Sequence, residues 1–353
     1  NVLKSNANLT IDKYSGYVQD NIRLSGTVTQ VTLQVGVRFN YNSLNKEFLI
    51  SPRAKISYKP DWDRDIIFKA SSGIYDQPPF YREMRRYDGS INTALKSQKS
   101  IQYVAGFDYN ISNRNRPMRI TTEAYYKSLW DVDPYDIDNV RIRYFGENNA
   151  RAYATGIETR IFTELVKDAE SWFSIGISQT KENIDNDFYY TYKNAGGEII
   201  SSKTTDQVIA DSVKTNVGWI RRPSDRLITM GLFLQDYLST NKNFKVHLNM
   251  IYGSNMSYNI PNNVKYRNAL IIEPYIRVDV GFSALLLSEK SLRRSHSPFR
   301  SFENIWASLE VLNLIDRANI ISYQLIKDFN NDTFSIPNRL TPRLINFKLL
   351  ARF

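Results

Sequence analysis

Strict alternation of apolar and polar residues over a long stretch is the feature that most constrains this chain. From 31 to 41 every even position is polar or glycine, and the odd positions are Val31, Leu33, Val35, Val37, Phe39 and Tyr41. Ordinary soluble strands run for about five or six residues, whereas a tilted strand needs about 9 to 11 to cross a bilayer. The sequence therefore predicts long strands with one apolar and one polar face.

A similar but less strict alternation returns at 101–111, 244–252, 276–284 and 345–353. In a soluble sandwich the apolar face would point inward. In an outer-membrane barrel it would face lipid, and the polar face would line a wet lumen. Periodicity alone leaves both arrangements open.

Composition narrows the class of protein. The chain has 353 residues without a Pro-, Gly- or Ser-rich linker, so we expect one domain. Charged residues make up 23% and mean hydropathy is −0.43, which excludes a helical membrane protein but not a β-barrel, whose hydropathy signal is weak. The absence of cysteine argues against a disulfide framework and against thiolate metal sites.

Neither nucleic-acid binding nor catalysis is predicted. The net charge is +10, but basic residues are scattered singly, and the one basic run, 290–300, falls in a connection. No phosphate-binding glycine loop, HExxH or GxSxG motif is present, and the two histidines, His247 and His296, stand alone. We expect a protein that is not an enzyme and needs no cofactor.

The pattern predicts thirteen strands, near 12–24, 27–41, 47–59, 65–75, 99–111, 117–129, 151–165, 171–183, 226–238, 243–253, 274–287, 304–315 and 342–353. Connections alternate between short turns and long loops at 76–98, 130–150, 184–225, 254–273 and 316–341; the short 42–46 and the long 288–303 break the rule. Short turns on one side and long loops on the other are typical of outer-membrane barrels.

The start of the chain has a consequence for the strand count. If the last strand ends in the periplasm, the long loops lie outside the cell and the first strand also begins outside. Single-chain bacterial barrels have even strand numbers with both termini inside. We therefore expect further strands before Asn1. The first residues of the chain do not have the pattern of a signal peptide.

Seven phrases, in order along the chain, resemble the carboxy-terminal half of TonB-dependent outer-membrane receptors, particularly those of the Bacteroidetes type. They are YVQDN at 17–21, ISPRA with YKP at 50–60, ASSGIY with QPPF at 70–80, TGIE at 155–158, YIRVD at 275–279, LNLIDR at 312–317 and PNRLTPR at 337–343. The carboxy-terminal Phe353 resembles the assembly signal read by the outer-membrane insertion machinery. Pro342 departs from the family pattern, which often has Gly there.

The resemblance implies an antiparallel transmembrane β-barrel of roughly 22 strands, closed by an amino-terminal plug. The plug and about nine strands would be missing, so that 1–353 would be the carboxy-terminal part of one barrel domain. It also implies nutrient uptake, with the lipid bilayer, the assembly machinery and, through the plug, a TonB-type energy-coupling protein as partners. A passive porin, a smaller closed barrel, an adhesin barrel and a soluble β-sandwich are the alternatives, and the nutrient stays open.

Candidate site residues follow from their positions. Exposed aromatic and charged residues in long loops are candidates for ligand binding: Tyr75, Phe80, Tyr81, Arg82, Arg85, Tyr189, Tyr190 and Tyr192. Charged and polar residues on the polar strand faces are predicted to line the lumen: Gln34, Arg38, Asp108, Glu158, Arg160, His247, Arg277 and Asp279.

Four carboxylates fall within eight residues, which would suit a hard cation such as calcium: Asp131, Asp133, Asp136 and Asp138. The run lacks the glycine and the bidentate glutamate of an EF-hand loop. We therefore favour an acidic surface loop and predict no metal.

Overall fold

Long antiparallel strands, each paired with the next long strand along the chain, dominate the computed structural model of the protein. The structure describes residues 8–26, 29–113, 116–166, 169–201, 203–223, 225–238, 241–260, 263–287, 302–329 and 332–352. One sheet of 14 strands contains a continuous path of thirteen, and a fourteenth short strand pairs beside it.

The strands have the following bounds, in chain order: β1 Lys13–Ser25, β2 Gln30–Asn42, β3 Glu47–Lys59, β4 Asp65–Gln77, β5 Gln98–Asn113, β6 Arg116–Val132, β7 Tyr135–Asp138, β8 Arg141–Tyr144, β9 Ala150–Val166, β10 Ala169–Ile184, β11 Phe188–Lys193, β12 Asp211–Asn216, β13 Trp219–Arg221, β14 Ile228–Tyr237, β15 Phe244–Gly253, β16 Met256–Tyr258, β17 Leu270–Ile272, β18 Tyr275–Leu287, β19 Asn304–Leu312, β20 Ile320–Lys327, β21 Thr333–Arg339 and β22 Leu344–Arg352.

The path runs β1-β2-β3-β4-β5-β6-β9-β10-β14-β15-β18-β19-β22, and these are the thirteen strands that the alternation predicts. Their bounds agree with the prediction within three residues. The predicted strand 304–315 is too long, because β19 ends at Leu312. Asn313 and Asp316 have φ values of 54° and 53°, a left-handed conformation that interrupts an extended strand.

The register keeps apolar residues on one face of the sheet from strand to strand. Near the middle of the strands the paired residues form one row: Leu33, Ile56, Ala70, Ala105, Ala124, Ile157 and Ile177. Ile157 and Ile177 are 46% and 47% exposed although they lie in mid-strand, so no described part of the chain covers this face at these positions. An apolar face left uncovered in this way suits contact with lipid.

The two ends of the strands differ in the length of the connections found there. At one end, the short-connection end, β3 is joined to β4 by 60–64 and β14 to β15 by 238–243. The other end, the long-connection end, holds 78–97, 133–149, 185–227, 254–274 and 313–343, together with the short turn 43–46. The predicted alternation of short and long connections is confirmed for these segments, and the basic run at 290–300 with His296 lies outside the described residues.

The long connections contain hairpins that the sequence did not predict. They were expected to be loops, but β7 pairs with β8, β11 with β12, β16 with β17, and β20 with β21. Each of these strands has 3 to 8 residues, whereas the strands of the main path have 9 to 17. Among the described residues, the structure has no helix long and apolar enough to cross a membrane.

Candidate functional site

Charged side chains on the polar face of the sheet pair across neighbouring strands. Asp108 of β5 is 2% exposed and accepts hydrogen bonds from Lys69 of β4, from Arg119 of β6 at 2.6 Å and from Thr121 of β6 at 2.9 Å. A buried carboxylate is tolerated when such donors satisfy it. Asp108 therefore holds three strands together on this face.

A second carboxylate on the same face links strands to a connection. Asp279 of β18 accepts from Arg277 Nε at 2.7 Å, from Asn249 of β15 at 3.3 Å and from the backbone N–H of Asn313 at 2.8 Å. Asn313 begins the connection after β19. Asp279 thus fixes the point at which that connection leaves the sheet.

All eight residues predicted to line the lumen share this polar face. The register of the strands places the following side chains on it: Gln34, Arg38, Asp108, Glu158, Arg160, His247, Arg277 and Asp279. His247 Nε2 lies 3.9 Å from Glu310 Oε1 of β19, which adjoins the same face. The structure shows one common face, and the lumen-lining role stays a prediction.

A cavity of about 380 Å³ lies at the long-connection end of the polar face. Strands β4, β5 and β6 and three long connections contribute its walls, among them Tyr75, Gln102, Leu129, Glu83, Asp133 and Arg222. Pockets of roughly 300 to 1,000 Å³ with a few converging polar groups are the usual form of a small-molecule site. This cavity is our candidate functional site.

Buried ion pairs tie the long connections together beside the cavity. Arg222 Nε lies 3.0 Å from Glu182 Oε2 at the end of β10, with side-chain exposures of 14% and 1%. Arg267, from the connection 254–274, pairs with Asp187, from the connection 185–227, and both side chains are nearly buried. Removing one partner of such a pair leaves an uncompensated buried charge. The Arg267–Asp187 pair joins two connections, and the Arg222–Glu182 pair fixes the connection 185–227 against the end of β10.

A hydrogen bond joins two other connections. The Tyr87 hydroxyl donates to Asp136 Oδ2 at 2.8 Å. Burial raises the pKa of Tyr87 and the Asp136 charge raises it further, so the phenol stays protonated and donates. Burial also raises the pKa of Asp136, although the Tyr87 hydroxyl acts against that shift.

Two carboxyl groups of the cavity wall are buried without an ion pair to a described residue. Asp133 is 1% exposed and Glu83 is 4% exposed. Burial raises the pKa of Asp133 to about 7, while the N–H groups of Glu147 and Gly146 act in the opposite direction. Burial likewise raises the pKa of Glu83, against the backbone N–H of Phe80, which donates to Glu83 Oε2 at 2.8 Å.

The aromatic candidates for ligand binding do not come together in one place. Tyr75, grouped with the loop residues and predicted as the last residue of the strand 65–75, lies inside β4, which continues to Gln77, and lines the cavity. Phe80 and Tyr81 are 62% and 60% exposed. Arg82 donates to the backbone oxygen of Ile142 at 2.8 Å.

The remaining candidates lie farther along the connections. Arg85 forms an isolated bridge with Ile91. Tyr189, Tyr190 and Tyr192 belong to β11 rather than to a loop, and the rings of Tyr190 and Tyr192 stack with centroids 6.1 Å apart. Of the eight candidates, the structure thus places only Tyr75 in the wall of the cavity.

The acidic run is distributed among separate partners. Asp131 accepts from Lys99 at 2.8 Å, Asp138 pairs with Arg143 at 2.6 Å, and Asp136 accepts from Tyr87. The expectation of an acidic surface loop does not hold for Asp133 and Asp136, which are buried because other connections pack over them. In the described parts of the chain, no group of three or more His, Cys, Asp or Glu side chains is arranged to hold a metal ion.

Sequence reasoning missed several residues of the cavity and its surroundings. Glu83, Tyr135, Tyr144 and Arg222 all line it. The available signal was weak: Asp133 and Pro134 directly follow the long strand β6, where a side chain at the rim of the sheet is expected. The partners of these residues come from other connections and leave no local pattern.

Comparison with known proteins identifies the family. The family described as "TonB dependent receptor-like, beta-barrel" matches residues 2–288, which is most of the chain. The chain belongs to this family. It is a β-barrel protein of the bacterial outer membrane, so the uncovered apolar face is the one that faces lipid. A search of the curated proteins finds no match.

Solved structures share the fold of this TonB-dependent receptor barrel. The ferric enterobactin receptor PfeA of Pseudomonas aeruginosa, in a mutant form, matches with a TM-score of 0.58 and 13% identity, over 97% of this chain and 45% of that one. The outer membrane transporter YddB of Escherichia coli matches with a TM-score of 0.58 and 15% identity, over 97% of this chain and 45% of that one. The ferric yersiniabactin uptake receptor FyuA of Yersinia pestis matches with a TM-score of 0.59 and 12% identity, over 97% of this chain and 46% of that one. The chain therefore spans less than half the length of these receptors.

Proposed function

We propose that the chain is the carboxy-terminal part of an outer-membrane TonB-dependent receptor that actively takes up a nutrient. In this proposal residues 1–353 form one barrel domain, of the Bacteroidetes type, completed by further strands and a plug. The polar face lines the lumen and the long connections face the cell exterior. The observation that carries the proposal is the cavity at the long-connection end of the polar face, since a ligand captured there lies at the mouth of the lumen.

The partners follow from this arrangement. A TonB-type energy-coupling protein acts on the plug, the bilayer covers the apolar face, and the outer-membrane assembly machinery recognises the carboxy-terminal strand. Phe353, the proposed signal for that machinery, lies outside the described residues. We propose no covalent chemistry, because the polar face supplies ion pairs and hydrogen bonds for binding and release.

Energy-coupled growth tests the function. The source organism is grown with single limiting nutrients, and the wild type is compared with strains that lack the full-length receptor or the TonB-type protein. Uptake by this receptor predicts that both deletions abolish growth on the same nutrient. Growth lost only with the receptor would indicate a passive porin, and growth retained in both strains on every nutrient would indicate an adhesin; either result overturns the proposal.

Orientation is tested separately in intact cells. The 353 residues contain no cysteine. A single cysteine placed among them, in a full-length receptor whose other cysteines are replaced, can therefore report exposure to a maleimide that does not cross membranes. Ile199→Cys, in the connection 185–227, is expected to be labelled, since Ile199 is 57% exposed. The matched control Asp63→Cys, an exposed position at the short-connection end, is expected to be labelled only after lysis. The reverse pattern would contradict the proposed orientation.

A further inference from the structure

Two acids in the cavity wall have no cation of their own. Asp133 Oδ1 accepts from the N–H of Glu147 at 3.1 Å, but Asp133 Oδ2 is buried without a hydrogen-bond partner. Glu83 adds a second negative charge that acts on Asp133. The attraction of Lys13 acts on Glu83, without an ion pair between them. A buried carboxylate without a cation is costly, so this pair has an unused capacity for hydrogen-bond donors.

The cations in the same wall are already paired elsewhere. Lys99 Nζ lies 3.0 Å from Glu47 and 2.8 Å from Asp131. Arg222 lies 3.0 Å from Glu182. Neither is therefore available to Asp133 without giving up an ion pair that is itself largely buried.

Aromatic rings complete the wall. Tyr135 and Tyr144 line the cavity together with Asp133 and Glu83, and their ring centroids are 5.7 Å apart. The face of an aromatic ring attracts a cation, and more strongly where water is excluded. The Arg222 guanidinium already lies over the Tyr135 ring, 5.6 Å from its centroid, so Tyr144 is the ring left for a cation of the ligand. Two acids beside this ring favour an organic cation over a neutral or anionic group.

We propose that this cavity binds the ammonium group of a basic ligand, with Asp133 and Glu83 as acceptors and Tyr135 and Tyr144 as walls. The inference rests on the proposed uptake function and names the chemical class of its ligand. A lysine-containing peptide and an amino sugar both carry such a group. A bare divalent ion is disfavoured, because no metal-binding group of side chains is found in the described residues.

A proton competes with the ligand for the same site. Glu83 and Glu147 act electrostatically on Asp133, and Asp133 acts on Tyr144. The other charged or titratable groups that line the cavity are Tyr75, Asp76, Lys99, Tyr135 and Arg222. Burial raises the pKa of Asp133 to about 7, so below that pH the acid is mostly neutral and attracts an ammonium group weakly. Binding of a cation is therefore expected to strengthen from pH 5.5 to pH 8.

Titration calorimetry of the full-length receptor in detergent tests this inference. The probe is trilysine and the neutral control peptide is triglutamine. Both peptides have an acetylated amino terminus and an amidated carboxy terminus, so that only the lysine side chains carry an ammonium group. We expect trilysine to bind, triglutamine to bind at least about tenfold more weakly, and trilysine affinity to rise between pH 5.5 and pH 8. Equal affinities for the two peptides, or no binding of trilysine at pH 8, would overturn the inference.

Variants locate the binding in the cavity. Asp133→Asn and Glu83→Gln keep the side-chain shape and are each expected to weaken trilysine binding about tenfold or more, because each removes a charge-assisted hydrogen bond. The matched control Asp185→Asn, an exposed acid at the start of the connection 185–227, is expected to leave binding unchanged. If Asp185→Asn weakens binding as much as Asp133→Asn, general surface charge explains the binding and the cavity does not.

The pH dependence of the wild type needs no variant and so does not depend on how Asp133→Asn folds. The failure of this inference is also distinguishable from failure of the proposed function. Energy-dependent growth on a neutral nutrient, with no trilysine binding, would overturn only the ligand class. Growth that is independent of the energy-coupling protein would overturn the function itself.

Discussion

The Tyr87 hydroxyl and Asp136 Oδ2 are 2.8 Å apart, although 49 positions separate the two residues in the sequence. This hydrogen bond joins the connection that follows β4 to the hairpin β7–β8. The ring of Tyr87 also packs edge-on against Phe145, with centroids 5.3 Å apart. Tyr87 therefore links two of the connections that line the cavity.

Removing the hydroxyl should loosen this contact without removing the ring. Tyr87→Phe leaves the buried Asp136 without its donor, and we expect a loss of about 1 to 3 kcal/mol in the stability of the local structure. Hydrogen exchange of 133–149 should become faster by the corresponding factor. Tyr81→Phe, at a position that is 60% exposed, serves as the control and should leave exchange unchanged.

The buried pair of Arg222 and Glu182 should contribute far more than an exposed pair. Arg222→Ala is expected to cost about 3 to 5 kcal/mol, because it leaves the Glu182 carboxylate buried and unpaired. Arg143→Ala breaks a pair of similar length with Asp138, but the Arg143 side chain is 51% exposed and the expected cost is at most about 1 kcal/mol. Thermal unfolding of the full-length receptor in detergent measures both. Equal costs would show that burial of the first pair is not maintained in solution.

Without ligand, the connection around Asp133 should weaken as pH rises. The pKa of Asp133 is raised from an ordinary value of 3.8 to about 7 in the folded protein, so protonation favours the folded form. This contribution is fully present below about pH 4 and is lost as pH rises through 7. Hydrogen exchange of 133–149, corrected for its intrinsic pH dependence, should show less protection at pH 8 than at pH 5. Asp133→Asn should abolish the difference, and an unchanged profile in that variant would assign the effect to another group.

The strands could be predicted from the sequence because their cause is local. Each long strand has lipid on one face and polar side chains on the other. Apolar and polar residues must therefore alternate along the strand, and this alternation is visible in the sequence of β2. The register also follows from this alternation, since a slip by one residue would bring Arg38 to the lipid face. The predicted end of β19 is wrong by three residues, because the strand stops before Asn313, which has a left-handed conformation.

The candidate site could not be predicted in the same way because its cause is not local. Asp133, Arg222 and Arg267 come from three connections, and what buries each of them is the packing of the other connections. Single residues such as Tyr75 could be named as candidates from their residue type. Which of them lie together in the folded protein could not be predicted, because it depends on contacts between segments that are far apart in the sequence. The hairpins β11–β12 and β20–β21 were missed for a related reason, since they lie in the connections, outside the main sheet whose lipid face imposes the alternation.

The two faces of β9 should respond in opposite ways to the same substitution. Ile157 faces lipid and Glu158 faces the polar side, one residue away and at nearly the same depth. Ile157→Arg is expected to destabilise the barrel by about 2 to 4 kcal/mol, the cost of an arginine near the bilayer midplane. Glu158→Arg should be tolerated, since the paired Glu123 can accept the new charge. The fraction of folded receptor in the outer membrane, measured by heat-modifiable mobility on gels, distinguishes the two, and equal loss in both variants would contradict the assignment of faces.

Gly281 of β18 lies directly opposite His247 of β15, and the imidazole ring lies close to the glycine. A Cβ built on Gly281 would overlap the imidazole ring of His247, which lies across the glycine on the polar face. Gly281→Ala must therefore displace the ring, and overpacking of this kind usually costs about 1 to 3 kcal/mol. His247→Ala removes the obstacle, so the double variant should recover most of the stability lost on Gly281→Ala, and a double-mutant cycle on thermal unfolding would give a coupling energy of similar size. Additive effects of the two substitutions would mean that the ring does not rest on Gly281 in the folded barrel.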